Sequence, residues 1–248
     1  MSKSELEVSK NKILDGSISI FQPKKGFRVS IDSILLSSSI KEYSKCMEFG
    51  TGSGIIIIYL SKKFPNSKII GVEKNIELVK LANKNLLKNN INNINSKILC
   101  NDLFNKPFLQ EYNNKLDRVI MNPPYFISNS VIKSNNKFKA SARYESNINE
   151  WFEAAYKKLK PKGYMNFVFR TESLDLILSN LNGSWGEIKI FPLWPKVNVK
   201  SKLMILQAKK NAKSGVQILP GLILHNNDGS YTDACNSILN NKSDIQLD

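Results

Sequence analysis

The tetrad Asn122-Pro123-Pro124-Tyr125 combines residue types that can organise a reacting nitrogen. It follows Leu116–Met121, an apolar run that reads as a buried strand halted by the prolines. Proline has no N–H, so two in succession strip donors from the turn and stiffen it. What remains is rich in acceptors, the Asn122 side-chain oxygen and the Pro123 carbonyl. A planar –NH2 group offers two donors to such a pair. Held there, its nitrogen can pyramidalise and aim a lone pair at an electrophilic methyl carbon. That is catalysis by orientation and electrostatics, with no strong base. Tyr125 offers a face on which a flat base can stack, worth ~1–3 kcal/mol, and Phe126 extends that wall. In isolation the tetrad reads equally well as a proline stop with Tyr125 as core filler.

A second group lies upstream, in Glu48-Phe49-Gly50-Thr51-Gly52-Ser53-Gly54. Glycines after a strand permit a tight turn and close approach of backbone to a ligand. The spacing is G-x-G-x-G, neither the dinucleotide G-x-G-x-x-G nor a phosphate loop with its lysine. A nucleoside methyl donor has no pyrophosphate; it presents an ammonium, a carboxylate and a ribose. Glu48 suits the ammonium. Glu73, at the end of the next strand, suits both ribose hydroxyls in a bidentate way. Asp102, after the third strand, lies either beside the adenine or in a capping role.

These residues require a frame that brings strand ends together. Ile31 to Ile40 reads as a helix with Asp32 in its first turn. Strands are then expected at Cys46–Phe49, Lys68–Val72, Ser96–Cys100, Leu116–Met121 and Gly163–Phe169. Helices are expected at Ser53–Phe64, Ile76–Leu87, Asn149–Leu159 and Ser173–Leu181. The alternation predicts a mostly parallel sheet covered on both faces. Strands near Gly186–Phe191 and Leu203–Ala208 lack a helix between them and predict an antiparallel edge hairpin. Beyond them come an apolar strand over Val216–Leu224, a turn at Asn227-Asp228-Gly229 and a short helix near Thr232–Leu239. Ile13-Leu14 and Ile18–Ile20 suggest a small hairpin or arm. The division expected is an N-terminal arm with its leading helix over 1–40, then one catalytic domain over 41–248 with a C-terminal strand and helix extension.

A hydrophobic fraction of 42% supports a packed core, and no apolar run approaches the ~20 residues of a membrane span. No secretory pattern is visible at the N-terminus. Cys46, Cys100 and Cys235 form no C-x-x-C pair, so neither a metal site nor a disulfide framework is expected, and a reducing cytoplasm is the expected setting. The net charge of +15 suits a polyanion, although nearly all of it is lysine in a chain rich in Lys, Asn and Ile. Lys133, Lys137, Lys139 and Arg143 follow the tetrad without an intervening acid, with Phe138 interleaved. Such a loop could hold phosphates while a base enters the site, or be merely solvated. Lys196, Lys200 and Lys202 form a second basic group. Trp185 and Trp194 read as packing, His225 as structural, and Asn89 to Asn95 as a solvated loop.

In order and spacing, the glycine loop, Glu73, Asp102 and the Asn122–Tyr125 tetrad resemble Class I methyltransferases acting on amino nitrogens, over roughly residues 25 to 210. Three stretches resemble the tRNA1(Val) adenine-37 N6-methyltransferase family: Phe27-Arg28-Val29-Ser30-Ile31-Asp32-Ser33-Ile34-Leu35-Leu36, Ala142-Arg143-Tyr144-Glu145, and Leu219-Pro220 to His225 with Asp228–Thr232. The chain departs from the pattern at Glu48 (Asp in the family), Phe49 (Leu) and Tyr144 (His). The resemblance implies a Rossmann-like, seven-stranded fold with S-adenosylmethionine as cofactor. It implies donor contacts from Arg28, Glu48, Gly50, Thr51, Gly52, Gly54, Glu73 and Asp102, and catalysis by Asn122, Pro123, Pro124 and Tyr125. RNA contacts are implied for Phe126, Lys133, Lys137, Lys139 and Arg143. The implied substrate is tRNA, at an anticodon-loop adenine whose partial unstacking makes extrusion cheaper than in a duplex; no metal, membrane or obligate protein partner is expected. Rival readings are a release-factor glutamine N5-methyltransferase, a guanine N2-methyltransferase, a non-enzymatic RNA-binding factor and a nicotinamide-dependent dehydrogenase.

Overall fold

The computed structural model describes residues 7–25, 28–92, 94–123 and 148–247. An antiparallel hairpin, β1 (Val8–Ile13) and β2 (Ile18–Pro23), precedes α1 (Ile31–Ser38). There follow β3 (Lys45–Phe49), α2 (Ile55–Lys63), β4 (Lys68–Glu73), α3 (Ile76–Lys88), β5 (Ser96–Cys100) and β6 (Leu116–Met121). The rest comprises α4 (Ile148–Lys158), β7 (Leu159–Arg170), α5 (Leu174–Leu181), β8 (Trp185–Trp194), β9 (Leu203–Lys210), β10 (Val216–Ile218), β11 (Leu222–Ile223) and α6 (Asp233–Leu239).

The main sheet runs β10-β8-β9-β7-β6-β3-β4-β5, with β11 also beside β8. The expected seven strands are there, and β9 alone runs antiparallel to its neighbours β7 and β8. The tail differs from the single strand expected over Val216–Leu224. It breaks at Leu219–Gly221 into β10 and β11, both parallel to β8, which places them outside the expected edge hairpin. At the break Gly221 has φ +84°, and a Cβ there would lie 2.3 Å from the Pro192 carbonyl oxygen. The left-handed turn at Gly221 interrupts the extended backbone between the two short strands.

Side chains of each strand alternate between two cores. Cys46, Ile69, Ile120, Val168 and Ile205 face α1, α2, the hairpin and α6. Met47, Ile70, Val119, Met121, Phe167 and Leu206 face α4 and α5. The first core also takes Leu14, Ile18 and Ile20, so the hairpin is part of the packed structure. Helix α2 shows burial overriding propensity. Its four consecutive isoleucines lose at most ~0.7 kcal/mol each in a helix, against ~1.5–3 kcal/mol gained per side chain buried. All four are 5% exposed or less.

Contrary to the solvated loop expected over Asn89 to Asn95, Asn89 is buried at the end of α3. The Asn89 amide accepts from Ser19 N (3.0 Å) and donates to Ser19 O (2.7 Å). One turn earlier, Asn85 accepts from Phe21 N (2.8 Å) and donates to Phe21 O (2.7 Å). Spaced four apart, the two amides present the donor–acceptor pattern of a neighbouring strand to the free edge of β2.

Candidate active site

The sheet order reverses beside β3: the chain proceeds from β3 through β4 to β5 on one side, then returns to place β6 on the other. Open α/β sheets form their crevice at this point, beyond the carboxyl ends of the strands. Phe49 is paired with both Val72 and Met121. Gly50, Glu73 and Asn122 therefore leave three adjacent strands at the same level, with neighbouring strands about 4.8 Å apart.

The glycine loop is tied to β4. Gly50 and Thr51 donate their N–H groups to Val72 O at 2.9 and 3.1 Å. Gly50, Gly52 and Gly54 have φ of +70°, +56° and +91°, the left-handed region that side chains resist. Gly54 is also the N-cap of α2, so the helix begins at Ile55 rather than Ser53. A Cβ on Gly50 would lie 3.2 Å from the Trp151 ring, whereas one on Gly52 would meet nothing within 4 Å. The loop thus packs against Trp151 at one glycine and opens outward at the other.

Glu73 is almost fully buried, with Oε2 accepting from Gly52 N and Oε1 from Asn75 N, both at 3.0 Å. Each carboxylate oxygen has two lone pairs, so one per oxygen is left to accept a hydroxyl. Glu48 is 2% exposed, and its Oε2 has no hydrogen-bond partner among the described residues. Burial drives its carboxyl well above the usual range; the Glu73 charge adds to the rise, while the Thr51 hydroxyl and the Ile57 amide at the start of α2 oppose it. An orphaned acceptor beneath a glycine loop is costly unless a cation or donor completes it. The residues present therefore fit S-adenosylmethionine: an acceptor for the ammonium, a carboxylate for the ribose and bare backbone for close approach.

Asp102 lies beyond β5, and its Oδ1 accepts from Phe104 N (2.9 Å), which fixes a turn rather than capping a helix. That turn aims Phe104 edge-on at Trp151, with centroids 6.3 Å apart. Arg28 is exposed and, among the described residues, makes no hydrogen bond or ion pair with the glycine loop. It stands on the short link from β2 to α1, which Gln22 steadies by accepting from Val29 N (2.9 Å).

On the acceptor side, Asn122 Nδ2 donates to the Ser33 hydroxyl at 3.0 Å, and Pro123 is buried. This bond ties the amide nitrogen to α1. The structure thus brings Glu48, Gly50, Thr51, Gly52, Gly54, Glu73, Asn122 and Pro123 together, with Asp102 at the next strand end. Pro124, Tyr125, Phe126, Lys133, Lys137, Lys139 and Arg143 lie outside the described residues.

Three further contributors had no role assigned from motif or spacing: Ser33, Trp151 and Asn85. Ser33 and Asn122 are 89 positions apart. Trp151 falls at a core position of an amphipathic helix, and only the fold places it beside Gly50. Besides holding β2, Asn85 donates to Ser53 O in the glycine loop at 2.8 Å. Among the described residues no group of His, Cys, Asp and Glu could hold a metal, the three cysteines are unpaired, and no helix is long and apolar enough to cross a membrane.

Residues 27–176 match the family model for the methyltransferase small domain. The tRNA1(Val) (adenine(37)-N6)-methyltransferase of Haemophilus influenzae (strain PittGG) is 27% identical over 222 residues, covering 87% of this chain and 90% of that one. The enzyme of the same name from Vibrio campbellii is 24% identical over 221 residues, covering 87% and 88%. Among solved structures, a predicted O-methyltransferase from Agrobacterium tumefaciens superposes with a TM-score of 0.72 at 17% identity, covering 87% of this chain and 98% of that one. The Thermus thermophilus 16S rRNA N2 G1207 methyltransferase, solved with AdoMet and guanosine, has a TM-score of 0.57 at 16% identity, covering 84% and 52%. At those identities the two structures speak to the fold, which is Rossmann-like. With a family match over more than half its length and a crevice whose residues fit the donor, the chain belongs to the methyltransferase small domain family and is an S-adenosylmethionine-dependent methyltransferase.

Proposed function

We propose that this protein transfers the methyl group of S-adenosylmethionine to the exocyclic N6 of an adenine in tRNA, in the anticodon loop at position 37. One observation carries the chemistry: Gly50 and Asn122 leave adjacent, paired strands at the same level, so a donor on the glycine loop faces an amine held at Asn122. The substrate class is supported by the printed names of the Haemophilus and Vibrio relatives. Acting on tRNA, the enzyme would work in the cytoplasm, with residues 1–40 as an arm that completes a catalytic domain over 41–248.

When bound, S-adenosylmethionine supplies a methyl group activated by its sulfonium. Glu48 would hold the ammonium, Glu73 the ribose hydroxyls, the Gly50–Gly54 backbone the close face, and Asp102 with Arg28 the periphery. Asn122 Oδ1 and the Pro123 carbonyl would accept the two N6 protons and turn the nitrogen lone pair toward the donor. Ser33 keeps the asparagine in that rotamer, and Tyr125 with Pro124 would clamp the base plane. The excess proton on nitrogen leaves to solvent after transfer, so no strong base is needed. Phe126, Lys133, Lys137, Lys139 and Arg143 would hold the surrounding RNA.

The test is incubation of the purified protein with labelled donor and either bulk tRNA or a release factor, followed by nucleoside mass spectrometry. N6-methyladenosine in tRNA is expected, and tRNA from a deletion strain should lack it. Label in protein, or N2-methylguanosine in RNA, would overturn the assignment.

A further inference from the structure

The stretch from Ile188 to Asn227 contains seven lysines and no acidic residue. The fold separates those lysines. Lys209 and Lys210 end β9 at the amino edge of the sheet, remote from the crevice. There Lys209 pairs with Glu187 (2.8 Å). Lys210 is buried and donates to Tyr156 O and Leu159 O (2.7 Å each) and to Asn114 Oδ1 (2.8 Å). Lys160 at the same edge pairs with Asp117.

The carboxyl edge is different. Met121, the last residue of β6, pairs with Phe167, while β7 continues to Arg170, which pairs with Leu203 at the start of β9. Strands β7 and β9 therefore rise three residues, about 10 Å, above the point where Asn122 leaves the sheet. On top of that rise lies the link between β8 and β9, residues 195–202. Lys200 and Lys202 are exposed on it, and among the described residues neither pairs with an acid. Val197 and Val199 stand out beside them, 60% and 41% exposed.

The link is held in place from several sides. Ser201 Oγ donates to Leu203 O (2.7 Å) and lies 3.1 Å from Thr171 Oγ1. Lys196 Nζ donates to Asn227 O (2.9 Å), and His225 N donates to Pro195 O (3.1 Å). The His225 ring stacks on Tyr231 at 4.9 Å between centroids. Little ordering is left to be done when a partner binds.

We propose that residues 195–202 form a preorganised ledge that grips the sugar–phosphate backbone of the RNA whose base enters the crevice, with Lys200 and Lys202 on phosphates and Val197 and Val199 against sugar or base faces. This rests on RNA being the substrate. The height fits: a base pointing down toward Asn122 leaves its own phosphates at the rim, where the ledge stands one strand beyond β7. An acidic protein partner would be drawn by the charge but would not need the ledge to stand above the level at which Asn122 leaves the sheet.

The test compares three full-length proteins binding an unmodified tRNA transcript by fluorescence anisotropy across a salt series: wild type, Lys200→Glu/Lys202→Glu, and Lys68→Glu/Lys115→Glu. The last pair is exposed at the amino edge and applies the same change in net charge. The ledge variant is expected to bind tRNA at least tenfold more weakly and to lose about two units of slope in log Kd against log salt. Its KM for tRNA should rise, while donor affinity and melting temperature match wild type. The amino-edge variant should stay within twofold of wild type. Equal weakening of both variants would reduce the effect to net charge and overturn the ledge, as would a ledge variant that binds like wild type or loses donor affinity in parallel. A wild type that neither binds nor methylates tRNA would overturn the substrate assignment itself, a result distinct from any of these.

Discussion

Asn85 and Asn89 allow docking of the N-terminal hairpin to be separated from support of the donor site. Asn85→Ala removes three hydrogen bonds from a side chain that is fully buried: two to Phe21 and one to Ser53 O. Asn89→Ala also removes three, two to Ser19 and one to Asn85 O. At ~1 kcal/mol net per bond, each variant should lose about 3 kcal/mol. For a chain of this length that lowers the melting temperature by about 6–12 °C. Only Asn85 touches the glycine loop. Losing the bond to Ser53 O should weaken S-adenosylmethionine binding about tenfold, the equivalent of ~1.4 kcal/mol, while Asn89→Ala stays within about twofold. Thermal melts give the first quantity and isothermal calorimetry the second. Equal donor affinities for two variants of equal stability would refute the idea that Asn85 shapes the loop. A large loss in Asn89→Ala would show that the hairpin as a whole supports the donor.

Three other perturbations follow from the site. Ser33→Ala removes the hydrogen bond that Asn122 Nδ2 makes at 3.0 Å, so kcat should fall about tenfold with donor affinity unchanged, and Ser33→Thr should recover most of it; no change in kcat would show that Ser33 does not position Asn122. Burial raises the native pKa of Glu48, so the native state keeps a proton that the unfolded chain has released. Its contribution to stability is full below the ordinary glutamate pKa and declines as pH rises toward the native value. Urea unfolding should therefore show Glu48→Gln gaining on wild type between about pH 4 and pH 7, with weaker donor binding; a pH-independent difference would contradict the assignment. A Cβ at Gly71 would lie 2.5 Å from Thr51 Oγ1. Gly71→Ala should thus displace Thr51 and weaken donor binding several-fold more than it lowers stability, and a Kd equal to wild type would show that the loop tolerates the shift.

The sequence revealed features whose causes are local. Apolar runs marked the sheet strands, and Gly54 at the N-cap moved the start of α2 from the expected Ser53 to Ile55. The glycine loop, Glu73 and Asn122-Pro123 were legible because each sits at a strand end, where residue type and position together imply a role. Ser33 carries no signal that it will meet Asn122, because only the packing of α1 across the sheet joins them. Asn89 falls in the stretch Asn89 to Asn95 that reads as a solvated loop, and Asn85 in the helix expected over Ile76–Leu87; their use as a substitute strand edge depends on the hairpin lying alongside. Lysines likewise look alike in sequence. Lys158 is buried among the carbonyls of Phe108 and Leu109, whereas Lys200 is exposed on the link between β8 and β9 at the carboxyl edge, and only topology distinguishes them. The tail strand reads as continuous because its apolar run carries no sign of the left-handed turn at Gly221.

The role proposed for Asn122 is to act on the acceptor amine and leave the donor alone. Asn122→Ala should be assayed twice: by calorimetry with S-adenosylmethionine, and by single-turnover methylation of tRNA followed by nucleoside mass spectrometry. The expected donor Kd lies within about twofold of wild type and the expected rate of N6-methyladenosine formation is at least about 100-fold lower, the scale set by removing one preorganised polar group from a reacting centre. Methylation at the wild-type rate, or a loss of activity explained by failure to bind the donor, would contradict that role.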